Sequence, residues 1–279
     1  SDIFFCLSRY EGFPLVVLEA LASKCLIICS KDIKHDIIKD HRNGLIFSED
    51  YKKDAQRILD LLKAKKRLKK IKNKAKKDVE ELSMKKMDKR ICKKKIGCSG
   101  KKVILMFGYA RDNKNFNLVL NSMEKMDKDI ILLSTGGVQD ENQKSIYNLF
   151  VKKIEELGLE DRVKLLGYIS DKNLPRLFNA TDLGIMPYSK TFGDFSSGSM
   201  ALQLAYGIPI LVSDIHPFEH FKREHECIET FKRNSPDDLT KKISLMLRKN
   251  KKTRKLNKEL KRYLKKAGWS SVARKMKEV

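Results

Sequence analysis

No apolar run in this sequence is long enough to cross a bilayer; the longest, such as Val103–Phe107 and Ile130–Leu133, have the length of buried strands. No secretory leader is evident either. The sequence opens at Ser1 on residues that already read as a strand, so a piece of a longer chain is expected. Cysteine builds no disulfide framework. Cys6, Cys25, Cys29, Cys92, Cys98 and Cys227 are scattered, with Cys25 and Cys29 inside an apolar strand, which points to a reduced, cytoplasmic protein. Cys92 and Cys98 flank a lysine-rich linker, but their spacing is wide and no second pair exists, so no metal is expected there. Lys far outnumbers Arg, and the Lys are spread over expected helix surfaces with few aromatic residues among them. Base recognition rests on Arg forks and stacking rings, so a specific nucleic-acid surface is not expected.

What is abundant is positive charge, a formal net +24. Solvated helix faces are the first explanation, a peripheral contact with an anionic membrane or another phosphate-bearing partner the second, and nucleic acid the last. His216, Glu219, His220 and His225 form a histidine-rich cluster, with His216 and His220 on one helical face. Pro217 favours an ordinary loop-to-helix turn over a metal site.

Internal similarity organises the chain. Residues 1–8 (Ser-Asp-Ile-Phe-Phe-Cys-Leu-Ser) resemble 181–188 (Thr-Asp-Leu-Gly-Ile-Met-Pro-Tyr), and 21–30 resemble 204–213, each followed by an Asp-Ile pair. The offset is roughly one domain length. Residues 1–95 therefore read as the back half of a unit whose complete copy is 101–279. In that copy, apolar strands at 102–107, 130–133, 163–166, 182–186, 208–212 and 227–230 alternate with helices at 115–123, 146–157, 173–178, 198–206 and 218–223. Ser235 followed by Pro236 opens one more helix, expected to bury Leu239, Ile243, Met246 and Leu247. Alternating elements imply a Rossmann-like, doubly wound parallel α/β sheet with ligands at the carboxyl ends of its strands. The strand at Ile3–Leu7 would be central in a whole unit; here one of its edges lacks a partner.

The strongest local motif is residues 10–24, Tyr-Glu-Gly-Phe-Pro-Leu-Val-Val-Leu-Glu-Ala-Leu-Ala-Ser-Lys. It follows a strand and opens a helix near Pro14, exposing helix N-terminal amides that suit a phosphate. Taken alone, Glu11 reads as a solvated acid complementing the helix dipole.

As a whole, the motif resembles the signature of the retaining glycosyl transferases group 1, which have the GT-B fold: two Glu separated by seven residues around Gly-Phe-Pro-Leu and Glu-Ala-Leu-Ala. The resemblance implies that Glu11 contacts the transferred sugar, that Glu19 holds the donor ribose, and that Phe13, Pro14 and Leu15 line the diphosphate. It extends over the complete copy. Gly108 matches a glycine turn and Lys114 a diphosphate-binding lysine; Tyr109 stands where an Arg is usual, with Arg111 as substitute. Tyr168 or Ile169 would meet the nucleobase. In this copy the signature has diverged: Asp194 replaces the first Glu, Ser196, Ser197 and Gly198 form the helix start, and Leu202 falls where the second acid would stand.

The resulting expectation is the donor-binding part of a glycosyltransferase, catalytic through Glu11 and Asp194. It uses a nucleoside-diphosphate sugar, with UDP, GDP and ADP all open, and no cofactor. Its acceptor would be a glycan or lipid-linked molecule, with self-association through the open strand edge. An acceptor domain is not visible in the sequence. Two alternatives stand beside this one: a non-catalytic nucleotide-sugar-binding or scaffolding module, and a basic nucleic-acid or membrane-surface binder.

Overall fold

The computed structural model describes residues 2–7, 15–31, 38–48, 50–82, 87–108, 111–136, 141–170, 172–190 and 197–267. The chain divides into two compact units, residues 1–85 with 265–279 and residues 86–264.

The larger unit holds six parallel strands: β4 (Lys102–Met106), β5 (Ile130–Ser134), β6 (Val163–Leu165), β7 (Leu183–Met186), β8 (Ile210–Ser213) and β9 (Glu229–Phe231). Their order is β6-β5-β4-β7-β8-β9, the doubly wound order, which reverses direction between β4 and β7. The inner strands β4, β5, β7 and β8 are apolar over most of their length because helices cover both faces. β7 sends Leu183 and Ile185 into the core that includes Phe116, Leu120 and Ile243, and Met186 into the one that includes Met200, Leu204 and Phe218.

The helices of this unit are α4 (Lys89–Lys95), α5 (Phe116–Glu124), α6 (Glu141–Glu156), α7 (Leu174–Ala180), α8 (Gly198–Ala205), α9 (His216–His225), α10 (Pro236–Met246) and α11 (Lys251–Ala267). α10 starts as expected: the Ser235 side chain accepts a hydrogen bond from the Asp238 amide at 3.3 Å. It buries Leu239 and Ile243, whereas Met246 and Leu247 are only partly covered at the margin of the core.

The segment expected to be a linker is instead built into this unit. Asp88 caps α4 by accepting from the Arg90 and Ile91 amides, and Cys92 and Cys98 are both fully buried. Asp182, just before β7, ties α4 down. Its carboxylate meets Lys89 Nζ at 2.7 Å and Lys93 Nζ at 2.5 Å, and accepts from the Val103 amide at 2.7 Å. Burial opposes charge on Asp182, but those ammoniums and the amide outweigh it and hold the carboxyl below its usual range. Residues 86–95, grouped with the first part of the chain by the repeat, thus pack with the second.

A buried carboxylate of a different kind anchors the far edge. Glu229 opens β9 and is 4% exposed. It receives Lys222 Nζ from α9 at 2.8 Å, Lys242 Nζ from α10 at 3.5 Å, Lys252 Nζ from α11, and the Thr230 amide at 3.0 Å. Burial would raise its pKa, yet these partners hold it down to about 2.

In the smaller unit, β1 (Ile3–Cys6), β2 (Leu26–Cys29) and β3 (Leu45–Ile46) form a parallel sheet in that order. Three helices accompany it: α1 (Leu15–Ala22), α2 (Tyr51–Lys63) and α3 (Lys65–Leu82). α3 is rich in lysine but packs inward through Leu68, Ile71, Ala75 and Val79. Among the described residues β1 has no strand on its other side, and Phe5 and Leu7 stand 51% and 55% exposed. A tight turn leads into β3. Asn43 accepts from the Lys39 amide at 2.7 Å and donates to Asp78 at 3.0 Å, while a Cβ at Gly44 would come within 3.0 Å of Ile27 O.

Candidate functional site

The switch point of the larger sheet gathers a cationic, amide-rich corner. β4 runs out at Gly108, whose φ of +108° is a conformation that L side chains rarely adopt. A Cβ there would lie 2.7 Å from Lys114 Nζ and 3.0 Å from Ser199 Oγ, so the missing side chain is what lets these groups close in. Lys114 ends a single 3-10 turn, Asp112–Lys114. The residue is half-buried, but its ammonium is turned in and donates to Phe107 O at 3.0 Å. Burial first, and then the nearby Arg111 guanidinium, pull the Lys114 pKa down to about 7. No carboxylate pairs with this ammonium among the described residues. An anion arriving here would find a cation that gains by being matched.

The opposite wall is the start of α8. Ser197 caps it, accepting from the Met200 amide at 3.3 Å, and Gly198 and Ser199 keep the first turn small. The Tyr188 phenol, beyond β7, is pushed up in pKa by burial, against the opposing influence of Arg111 and a hydrogen bond with Ser197. Ser189 N donates to Asn113 O at 2.8 Å and so ties the end of β7 to the 3-10 turn carrying Lys114. Beneath α8, Gln203 is fully buried, donates to Ser199 O at 3.1 Å and lies against Gly184 of β7, where a Cβ would collide with its Oε1. On the other side of β4, Thr135 accepts from the Gly108 amide at 3.1 Å, and Gly136 donates to Gly167 O at 2.8 Å.

Of the residues singled out in the sequence, Gly108, Arg111, Lys114, Ser197 and Gly198 meet at this corner. Tyr168 and Ile169 follow β6, two strands away from β4; Tyr168 is exposed and Ile169 half-buried. Glu11, Phe13, Pro14, Asp194 and Ser196 lie outside the described residues. Leu15 begins α1, where Glu19 is half-buried and its pKa is raised by that burial. Its counterpart Leu202 is buried, at 8% exposure. Tyr188, Ser199 and Thr135 join the site without having been singled out. Thr135 stands at a strand end just before a glycine pair, a position that signals a ligand-side turn. The histidine cluster does not converge. His216 and His220 rings stack 6.5 Å apart, His220 faces Glu224, and among the described residues no group of three metal-ligating side chains exists.

A family model described as "Glycosyl transferases group 1" matches residues 1–78 and 88–265. Mannosylfructose-phosphate synthase of Agrobacterium fabrum is 30% identical over 131 residues, covering 45% of this chain and 28% of that protein. The chain therefore spans less than a third of the length of this curated relative. Among solved structures, Anabaena HepE in complex with UDP-glucose aligns with a TM-score of 0.62 at 14% identity, over 99% of this chain and 78% of that one. Sucrose-phosphate synthase of Thermosynechococcus elongatus aligns with a TM-score of 0.55 at 18% identity, over 67% of this chain and 47% of that one. At these identities the structural likeness speaks for the GT-B type of fold.

Proposed function

Because the chain belongs to the glycosyl transferases group 1 family, we propose that it supplies the nucleotide-sugar-binding part of a retaining glycosyltransferase. The unit of residues 86–264 is the donor-binding domain, and residues 1–85 are part of a second copy. Lys114, Arg111 and the Ser197–Gly198 amides take the diphosphate, with Gly108 giving it room and Ser196 beside it. Tyr168 and Ile169 take the base. Asp194 here, and Glu11 in the first copy, face the sugar; Phe13, Pro14, Leu15 and Glu19 line the diphosphate and ribose in that copy.

In this reading the acceptor hydroxyl bonds the anomeric carbon as the bond to the diphosphate breaks. The charge developing on the leaving diphosphate is met by a preorganised cation and helix amides. The donor is a UDP-sugar or a close analogue, and the acceptor a glycan or a lipid-linked molecule. The protein works in the cytoplasm, with peripheral membrane contact, and copies associate through β1. The supporting observation is the inward-turned Lys114 ammonium beside Gly108 and the start of α8. A second reading, binding without turnover, is favoured by one position: Leu202 is buried and apolar where Glu19 stands in the other copy.

Calorimetry with UDP, GDP and ADP on the wild type and Lys114→Ala tests the assignment. Losing a charge-assisted contact costs about 1.5–3 kcal/mol, an affinity loss of roughly ten- to 150-fold. Binding of none of the three nucleotides, or equal affinity in the variant, would refute it.

A further inference from the structure

The smaller unit carries a groove that the nucleotide reading does not use. It is an open groove between the turn before β3 and the outer face of α3. Basic side chains converge on it from two walls: His41 and Arg42 from the turn, and Arg67, Lys70, Lys74 and Lys77 from the helix. The four helical cations recur at helical spacing, so they share one face about a turn apart. The apolar stripe of α3 packs into the core and leaves Arg67, Lys70 and Lys77 exposed.

Charge matching in the groove is incomplete. Asp78 serves Lys74 at 2.6 Å and Arg42 at 3.8 Å, and Arg57 is matched by Asp40 and Asp54. Arg67 instead meets the His41 ring at 3.2 Å, and Arg57 meets the other nitrogen of the same ring at 3.1 Å. Among the described residues no carboxylate pairs with Arg67 or Lys70. Asp40 lies 3.7 Å from the same ring and already matches Arg57, so Arg67 is the guanidinium that a bound anion would match.

The location separates this groove from a donor site. Its turn wall precedes β3. On α3, Lys72 pairs with Asp2 at the amino end of β1, at 2.7 Å. The groove therefore sits toward the amino ends of the strands, whereas donor sites in doubly wound sheets lie at the carboxyl ends.

We propose that this groove binds a compact soluble ligand carrying two or more linked phosphates. Two facing cationic walls suit a discrete anion held between them; a bilayer would meet a single plane. The inference is independent of the nucleotide reading. The test titrates inorganic tripolyphosphate into the full chain at physiological salt, in parallel in a Lys114→Ala background. It compares Arg67→Ala/Lys70→Ala/Lys77→Ala with a control, Lys251→Ala/Lys258→Ala/Lys261→Ala, that removes equal charge from α11. The groove variant should lose affinity by roughly tenfold or more, and the control by less than about twofold. All six substituted side chains are exposed, so folding should be kept; Arg67→Gln alone serves if the triple variant does not fold. Three outcomes would overturn the proposal: no tripolyphosphate binding, equal loss in both variants, or groove-dependent binding only to phosphatidylglycerol vesicles or to an oligonucleotide.

Discussion

Replacing Glu229 by Gln keeps the shape of the side chain and removes the charge on which three lysines converge. In the folded protein the carboxyl titrates at about 2, against an ordinary value of 4.5. Each unit of that difference corresponds to about 1.4 kcal/mol, so the charged form contributes at most about 3.5 kcal/mol to stability. Lys222 and Lys252 can swing partly back into water, which brings the expected loss to about 2–3 kcal/mol at neutral pH. For a unit of this size that is a fall in Tm of roughly 5–10 °C. The sign with pH follows from the depressed pKa. The contribution is complete above about 4.5 and disappears as pH falls through that value toward 2. Urea melts of the wild type and Glu229→Gln, with hydrogen exchange followed in β8 and β9, should show a gap that is constant above pH 5 and closes toward pH 2. A gap below about 0.5 kcal/mol at pH 7, or one equally wide at pH 2, would refute the reasoning.

Two further outcomes are expected. Because Lys114 titrates at about 7 when empty and a bound diphosphate favours its protonated form, nucleotide binding should take up protons near pH 7 and weaken as pH rises above it. Calorimetry in two buffers of different ionisation enthalpy reads this directly, and a buffer-independent enthalpy would count against it. Amides on the open side of β1 should exchange with solvent much faster than those of β4, which is paired on both sides; slow exchange throughout Ile3–Cys6 would show that edge to be covered.

The alternation of strands and helices in the larger unit was legible because its strands are buried on both faces and read as unbroken apolar runs, as at Val103–Met106 and Ile130–Leu133. The lysine-rich helices were not. In α3, among the described residues, Leu68, Ile71, Ala75 and Val79 face inward, a stripe too narrow to stand out among its lysines, and in α4 the buried Cys92 carries little signal against the lysines around it. Glu229 was hidden for another reason: its three partners come from three helices, and no local spacing connects them. At the site, Gly108, Lys114 and the start of α8 were recognisable as turn and helix-start chemistry. The part played by Tyr188 and Ser199 depends on how close α8 comes to the sheet, and no linear pattern encodes that distance.

That closeness traces to Gly184. With no side chain there, the Gln203 amide rests directly on β7 and holds Ser199 O from below. Part of the specification for a surface site is therefore written in the interior, by an atom that is absent. Along this strand, ligand affinity and fold stability can drift apart: the rim tolerates or rejects changes according to what it binds, while a methyl group added at the buried glycine would reach the rim first as a misplaced helix start.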